Sequence, residues 1–228
     1  MTLVLGAKCS NGVTVIADTK ITGHEDTFFG HQPKLFGELT NTIFGCAGTK
    51  DMVQLFRKYV LGDVISLRDS LEKYTDKNLM DNLKKIMLFF REVRDGRVFV
   101  LTVMVARILP LSSDLHVVDS LGRIDFEFNH PWKTIGSGAP DADVILEGEW
   151  RDDMTMKQFA SLSYSVIRYI EKQKPKGKVG VGDGKPNIRY LPNGAIADNE
   201  PSVEEWSYFE KSYLTYRLEF KKYILGDG

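Results

Sequence analysis

The stretch TLVLGAKCSNGVTVIADTKIT, residues 2–22, holds two β-rich runs, 3–9 and 13–18. Ser10, Asn11 and Gly12 between them supply hairpin-turn chemistry. The second run ends in Asp18. A carboxylate that follows the apolar run Val13 to Ala17 is expected to be at least partly buried, and a buried carboxylate needs a partner. Lys34 is the evident one, and Pro33 before it fixes an extended entry to the next strand. Two plainer readings stand beside these. Asp18 is a turn aspartate that ends a strand, and Lys34 is a solvated strand-end lysine.

Working outward, residues 34–37 and 42–46 predict a second strand pair, turned through Leu39, Thr40 and Asn41. After Gly48 the period changes. Met52, Val53, Phe56, Tyr59 and Val60 share one helical face, and Leu79, Leu83, Ile86, Met87 and Phe90 share another. VFVLTVMVARI, residues 98–108, is a long buried strand, followed by strands near 114–119, 123–128 and 132–136. Helices near 139–149 and 155–172 and a strand at 187–191 come next. This order predicts an α/β (α+β) fold: a four-layer αββα sandwich, two stacked antiparallel sheets between helical layers.

Trp206, Phe209, Tyr213, Tyr216, Phe220 and Tyr223 then recur at steps of three and four, which predicts an extra C-terminal helix with an aromatic seam. The expected division is a main domain over 1–195 and a helical extension over 196–228. The extension packs on its own domain, or serves as a subunit interface or a lid.

The 228 residues suffice for one large core. A net charge of -1 gives no sign of nucleic-acid binding or of a polybasic membrane surface. The sequence has no run of about twenty apolar residues to span a bilayer. It also lacks the charged start and apolar run of a signal peptide. Cys9 and Cys46 form neither a metal spacing nor a disulfide framework, so a cytoplasmic location is expected. His24, Glu25, Asp26 and His31 lie in GHEDTFFGH, read as a polar surface loop. Their spacing fits no zinc signature, so no metal is expected, and the chemistry below needs no cofactor.

Four motifs together carry a resemblance. Residues 2–22 end in the run Ala17, Asp18, Thr19, Lys20. Lys34 opens PKLF. IFGCAGTKD, residues 43–51, precedes the first long helix, and TIGSGAPDA, residues 134–142, holds a Gly-Ser-Gly turn. In this order and spacing, over roughly residues 2–172, they resemble a proteasome β-subunit, an N-terminal-nucleophile hydrolase. The Met-Thr start is similar to that of bacterial proteasome relatives and the Anbu and connectase branches, which begin without a propeptide.

The resemblance implies that removal of Met1 frees Thr2 as nucleophile, with its own α-amine as general base. An α-amine has a pKa of roughly 7.7–8.0, close to neutral pH. Lys34 would lower the pKa of the Thr2 hydroxyl, and Asp18 would hold Lys34 by a charge-assisted hydrogen bond and receive backbone N–H groups. Gly48, expected at the start of the first helix, would offer its N–H to an oxyanion and let substrate approach closely. It is equally a helix-entry glycine. Ser137 would bond the Thr2 amine, or else cap the helix near 139. Lys20, Thr22, Cys46 and Ala47 would line the substrate cleft, with Cys46 as a buried small hydrophobe.

The implied activity is a threonine peptidase or amidohydrolase acting through an acyl-ester on Thr2. One alternative is a connectase-like transpeptidase or ligase with the same nucleophile. Another is a catalytically silent subunit. Silent proteasome α-subunits carry an N-terminal helical extension before the first strand, which residues 2–22 do not resemble. The chain departs from the family at 171–182, EKQKPKGKVGVG, where an Asp-x-x-Ser-Gly pattern normally supports the amine. The implied partners are a peptide or protein substrate and further copies of the chain, as a ring or dimer. The sequence does not specify an unfoldase partner.

Overall fold

The structure, a computed structural model, describes residues 2–22, 28–39, 41–62, 76–93, 100–109, 112–125, 130–173, 184–194 and 199–225. The first sheet is antiparallel. It is built from β1 (Val4–Cys9), β2 (Gly12–Ala17), β10 (Trp132–Ile135) and β11 (Asn187–Pro192), in the order β10-β1-β2-β11. The second is also antiparallel. It runs β5 (Leu35–Leu39), β6 (Thr42–Gly48), β7 (Leu101–Ile108), β8 (Ser113–Val118) and β9 (Ile124–Asp125), each strand beside the next.

Alternation along the strands builds the layers. Val4, Val13, Val15 and Ala17 of the first sheet meet Leu35, Ile43, Met104 and Leu115 of the second in one buried cluster. Two glycines let the sheets close. A Cβ on Gly6 would lie 2.5 Å from Met104 Sδ, and one on Gly45 would lie 2.7 Å from Val4 Cγ1.

The outward faces are covered by helices. Leu3, Leu5, Ala7 and Ile16 pack with α3 (Ala139–Glu149), α4 (Met156–Gln173) and α5 (Val203–Leu225). Phe36, Phe44, Val103 and Val105 pack with α1 (Lys50–Gly62) and α2 (Asp76–Val93). This is the four-layer αββα sandwich with an extra C-terminal helix.

The aromatic seam of α5 faces α4. Phe209 and Phe220 are fully buried and Tyr213 nearly so. Phe220 meets Tyr169 edge to face at 5.6 Å. Lys172 lies 4.6 Å from the Tyr213 ring, a cation–π contact. Leu214, off the seam, is exposed. No described helix is long and apolar enough to cross a membrane.

One expectation is overturned. GHEDTFFGH is not simply a loop, because β4 (Phe28–His31) pairs with β3 (Lys20–Thr22) as a two-stranded ribbon. The β-branched Ile21 and Thr22 and the aromatic pair Phe28 and Phe29 carry the pairing propensity. The charged residues of the segment mask it in the sequence. His24, Glu25 and Asp26 lie outside the described residues. So do Thr40, between β5 and β6, and 174–183, which holds most of the departure from the family pattern.

Candidate active site

One end of the first sheet gathers the site. Val4 pairs with both Ile135 and Ala17, and Asn187 also pairs with Ala17. Thr2 before β1, Asp18 after β2 and Ser137 after β10 therefore emerge at the same end. The ladder runs one step further: Asp18 N–H donates to the Leu3 carbonyl at 3.0 Å.

Asp18 is the hub of this end and is almost fully buried. Its Oδ1 accepts from Leu3 N–H at 2.7 Å and from Lys34 Nζ at 2.8 Å. Its Oδ2 accepts from Lys20 N–H at 3.2 Å. Lys34 comes from the other sheet, at the entry to β5, and its carbonyl accepts from Cys46 N–H at 3.0 Å. The Asp18–Lys34 ion pair thus bridges the two sheets. Lys34 is 5 % exposed. Burial pushes its ammonium below the ordinary lysine range, and the Asp18 carboxylate opposes part of that shift. A solvated strand-end lysine is excluded.

Thr2 N–H donates to Ser137 Oγ at 3.2 Å. The N-cap of α3 is Gly138, with no side-chain cap bond, so Ser137 bonds the Thr2 nitrogen and does not cap the helix. The Thr2 carbonyl accepts from Gly138 N–H at 3.3 Å. Gly136 has φ +101°, and a Cβ there would lie 2.1 Å from the Thr2 carbonyl oxygen. Only glycine fits both that backbone conformation and that approach. This role of Gly136 was missed in the sequence, although the paired glycines around Ser137 signal a tight turn.

Gly48 is the last residue of β6, not the start of α1. A Cβ on it would lie 2.3 Å from the Val100 carbonyl, so glycine is required there by the closeness of β7. This packing requirement stands beside the expectation that its small size serves substrate approach. Its N–H direction follows from the strand. Cys46 N–H points to the β5 side, and Thr49 N–H bonds Val100 on the β7 side at 3.2 Å. N–H groups two apart share a side. Gly48 N–H therefore points to the β5 side, past the point where β5 begins at Leu35.

These groups face a cleft of about 560 Å3, within the usual range for a ligand site. Thr2, Lys20, Lys34, Gly48 and Ser137 line it, and Cys46 and Ala47 are at its wall. Burial pushes the Cys46 thiol well above its ordinary value, so it is a poor nucleophile. Thr22 pairs with Phe28 in the β3–β4 ribbon, and its side chain lies outside the described residues. Among the described residues no cluster of three metal-ligating side chains occurs.

The family model described as Proteasome subunit matches residues 2–180. The chain belongs to the proteasome subunit family. Comparison with the curated proteins returned no match. As a proteasome-family chain it has the proteasome-like Ntn-hydrolase fold. The family is in general one of peptidases, includes inactive members, and typically assembles into oligomeric rings.

Proposed function

We propose that this proteasome-family chain is an N-terminal threonine peptidase or amidohydrolase. The observation that carries the proposal is the buried Asp18–Lys34 pair, fixed to the backbone beside Thr2 and opening on the cleft. An ammonium held in low dielectric with a lowered pKa gives up its proton more readily than a solvated lysine, and groups perturbed in this way cluster at functional sites.

Met1 removal converts the Thr2 nitrogen, an amide in the intact chain, into an α-amine at the Ser137 hydroxyl. The Thr2 hydroxyl then attacks a peptide carbonyl. Its proton passes to the α-amine, with Lys34 stabilising the forming alkoxide. The carbonyl electron pair moves onto oxygen, which the Gly48 N–H receives. Collapse expels the amine half of the substrate, which takes the proton, and leaves an ester on Thr2 Oγ. Water, deprotonated by the same amine, hydrolyses it.

Lys20, Cys46 and Ala47 form the walls along which the peptide lies, and Thr22 extends that run by analogy with the family. We infer a symmetric homo-oligomer, ring or dimer, in the cytoplasm from the habit of the family.

The test is the intact mass of purified protein with and without a peptide epoxyketone, which needs both a free amine and a hydroxyl. Loss of Met1 plus one bound inhibitor is expected, with no labelling or peptide turnover in Thr2→Ala. Turnover retained in Thr2→Ala refutes the mechanism. Product analysis with an added acceptor peptide is expected to show hydrolysis; quantitative joining would assign the chain to the ligases instead.

A further inference from the structure

Beyond Pro33 the cleft borders a second pocket of about 190 Å3. At roughly 30 Å3 per displaced water this is room for one side chain. Pro33 lines both cavities, and Thr19 lines the second while its neighbour Lys20 lines the first. The remaining wall includes Lys185, Pro186, Glu200, Pro201 and Trp206, all C-terminal to the residues that the family model matches.

The register fixes how far this pocket lies from Thr2. Asn187 pairs with Ala17 and Val4 pairs with Ala17, so the start of β11 stands at the same sheet end as the start of β1, with β2 between. Two strand spacings are about 10 Å, and an extended peptide rises about 3.3 Å per residue. A peptide in the cleft therefore reaches the pocket about three residues from its reacting bond.

The pocket's chemistry is set by two side chains. The Lys185 ammonium lies 3.8 Å from the centre of the Trp206 ring, which holds it in place. The Lys185 carbonyl accepts from Thr19 Oγ at 3.3 Å, tying the loop to the strand end that carries Asp18. Glu200 also lines the pocket, but Arg189 pairs with it at 3.0 Å, so Lys185 sets the sign of the charge.

We propose that this pocket is a subsite for an acidic side chain of the substrate, about three residues from the bond that Thr2 attacks. The carboxylate binds Lys185 Nζ, and its methylenes lie on Trp206 and Pro201. The proposal rests on the peptidase reading for the word substrate, and its test is separable from that reading.

Full-length Thr2→Ala protein is titrated with fluorescent peptides identical except for Glu, Gln or Lys walked along the sequence, read by anisotropy. Glu is expected to bind about fivefold tighter than Gln at one position, the scale of a solvent-exposed ion pair. Adding Lys185→Glu is expected to abolish that preference and favour Lys, with an unchanged melting temperature as the folding control. Equal affinity for Glu and Gln at every position, no peptide binding, or a Glu preference that survives Lys185→Glu overturns the proposal. If the Glu preference holds while wild-type Thr2 takes no epoxyketone label, the subsite stands and the peptidase reading falls.

Discussion

Replacing Asp18 by alanine tests the central contact directly. The substitution leaves the Lys34 ammonium buried without its counter-charge, which costs about 3–5 kcal/mol. It also leaves the buried Leu3 N–H without an acceptor, about 1–3 kcal/mol more. The two losses belong to one network and do not add. Burial already lowers the Lys34 pKa, so in the variant part of the penalty is relieved by loss of its proton. A net loss of about 4 kcal/mol is expected. For a chain of this size each kcal/mol lowers Tm by about 2–4 °C, so the shift is about 8–16 °C.

Urea unfolding followed by circular dichroism measures it, with an unchanged m-value as the check on two-state behaviour. Lys34→Met is expected to cost less, because Asp18 keeps the Leu3 and Lys20 N–H donors. The double variant Asp18→Ala/Lys34→Met is expected to be more stable than Asp18→Ala alone, since the uncompensated charge is gone. A loss below about 1 kcal/mol for Asp18→Ala, or a double variant equal to the sum of the singles, refutes the view of Asp18–Lys34 as a coupled buried pair.

Three further outcomes are expected. Lys34 has a folded pKa below its unfolded value of about 10.4, so between the two the unfolded chain binds more protons. Wild-type stability relative to Lys34→Met should therefore rise with pH through that window, and urea midpoints that fall instead would contradict the burial. Gly136→Ala forces a side chain at φ +101° against the Thr2 carbonyl, so epoxyketone labelling should be lost and stability should drop by about 1–3 kcal/mol. Phe209→Ala should cost about 3–5 kcal/mol, whereas Leu214→Ala, off the buried seam, should stay within about 0.5 kcal/mol; calorimetric melts distinguish them.

The elements built on long periodic patterns were legible in the sequence. Val13 to Ala17 read as a buried strand and is one, and the aromatic steps from Trp206 gave α5 because three-and-four spacing has a single physical meaning. The β3–β4 ribbon was not legible, because its strands are short and the residues between them are polar. Lys34 was ambiguous for another reason. Lysine at a strand entry is exposed by default, and only the approach of the other sheet buries it. Ser137 offered one hydroxyl to two rival acceptor roles, and the course of the chain at Thr2 decided between them. Asp18 could be expected to need a partner. That it would receive backbone N–H groups was also expected, but that one of them is Leu3, across the strand pair, is a contact that no local pattern announces.

The alignment of four chain segments at one sheet end has a consequence for when the molecule becomes competent. Slipping β1 against β2 by one residue would carry Asp18 about 3.3 Å from Leu3 and turn alternate side chains to the opposite face. The hydrophobic layers forbid that slip, since Val4 and Leu5 would exchange the inter-sheet and helical cores. Correct strand pairing and a complete cluster are thus one event. A chain of the proposed peptidase class would stay inert while it is still assembling its sheets, and a label on Thr2 would count only molecules that have finished folding.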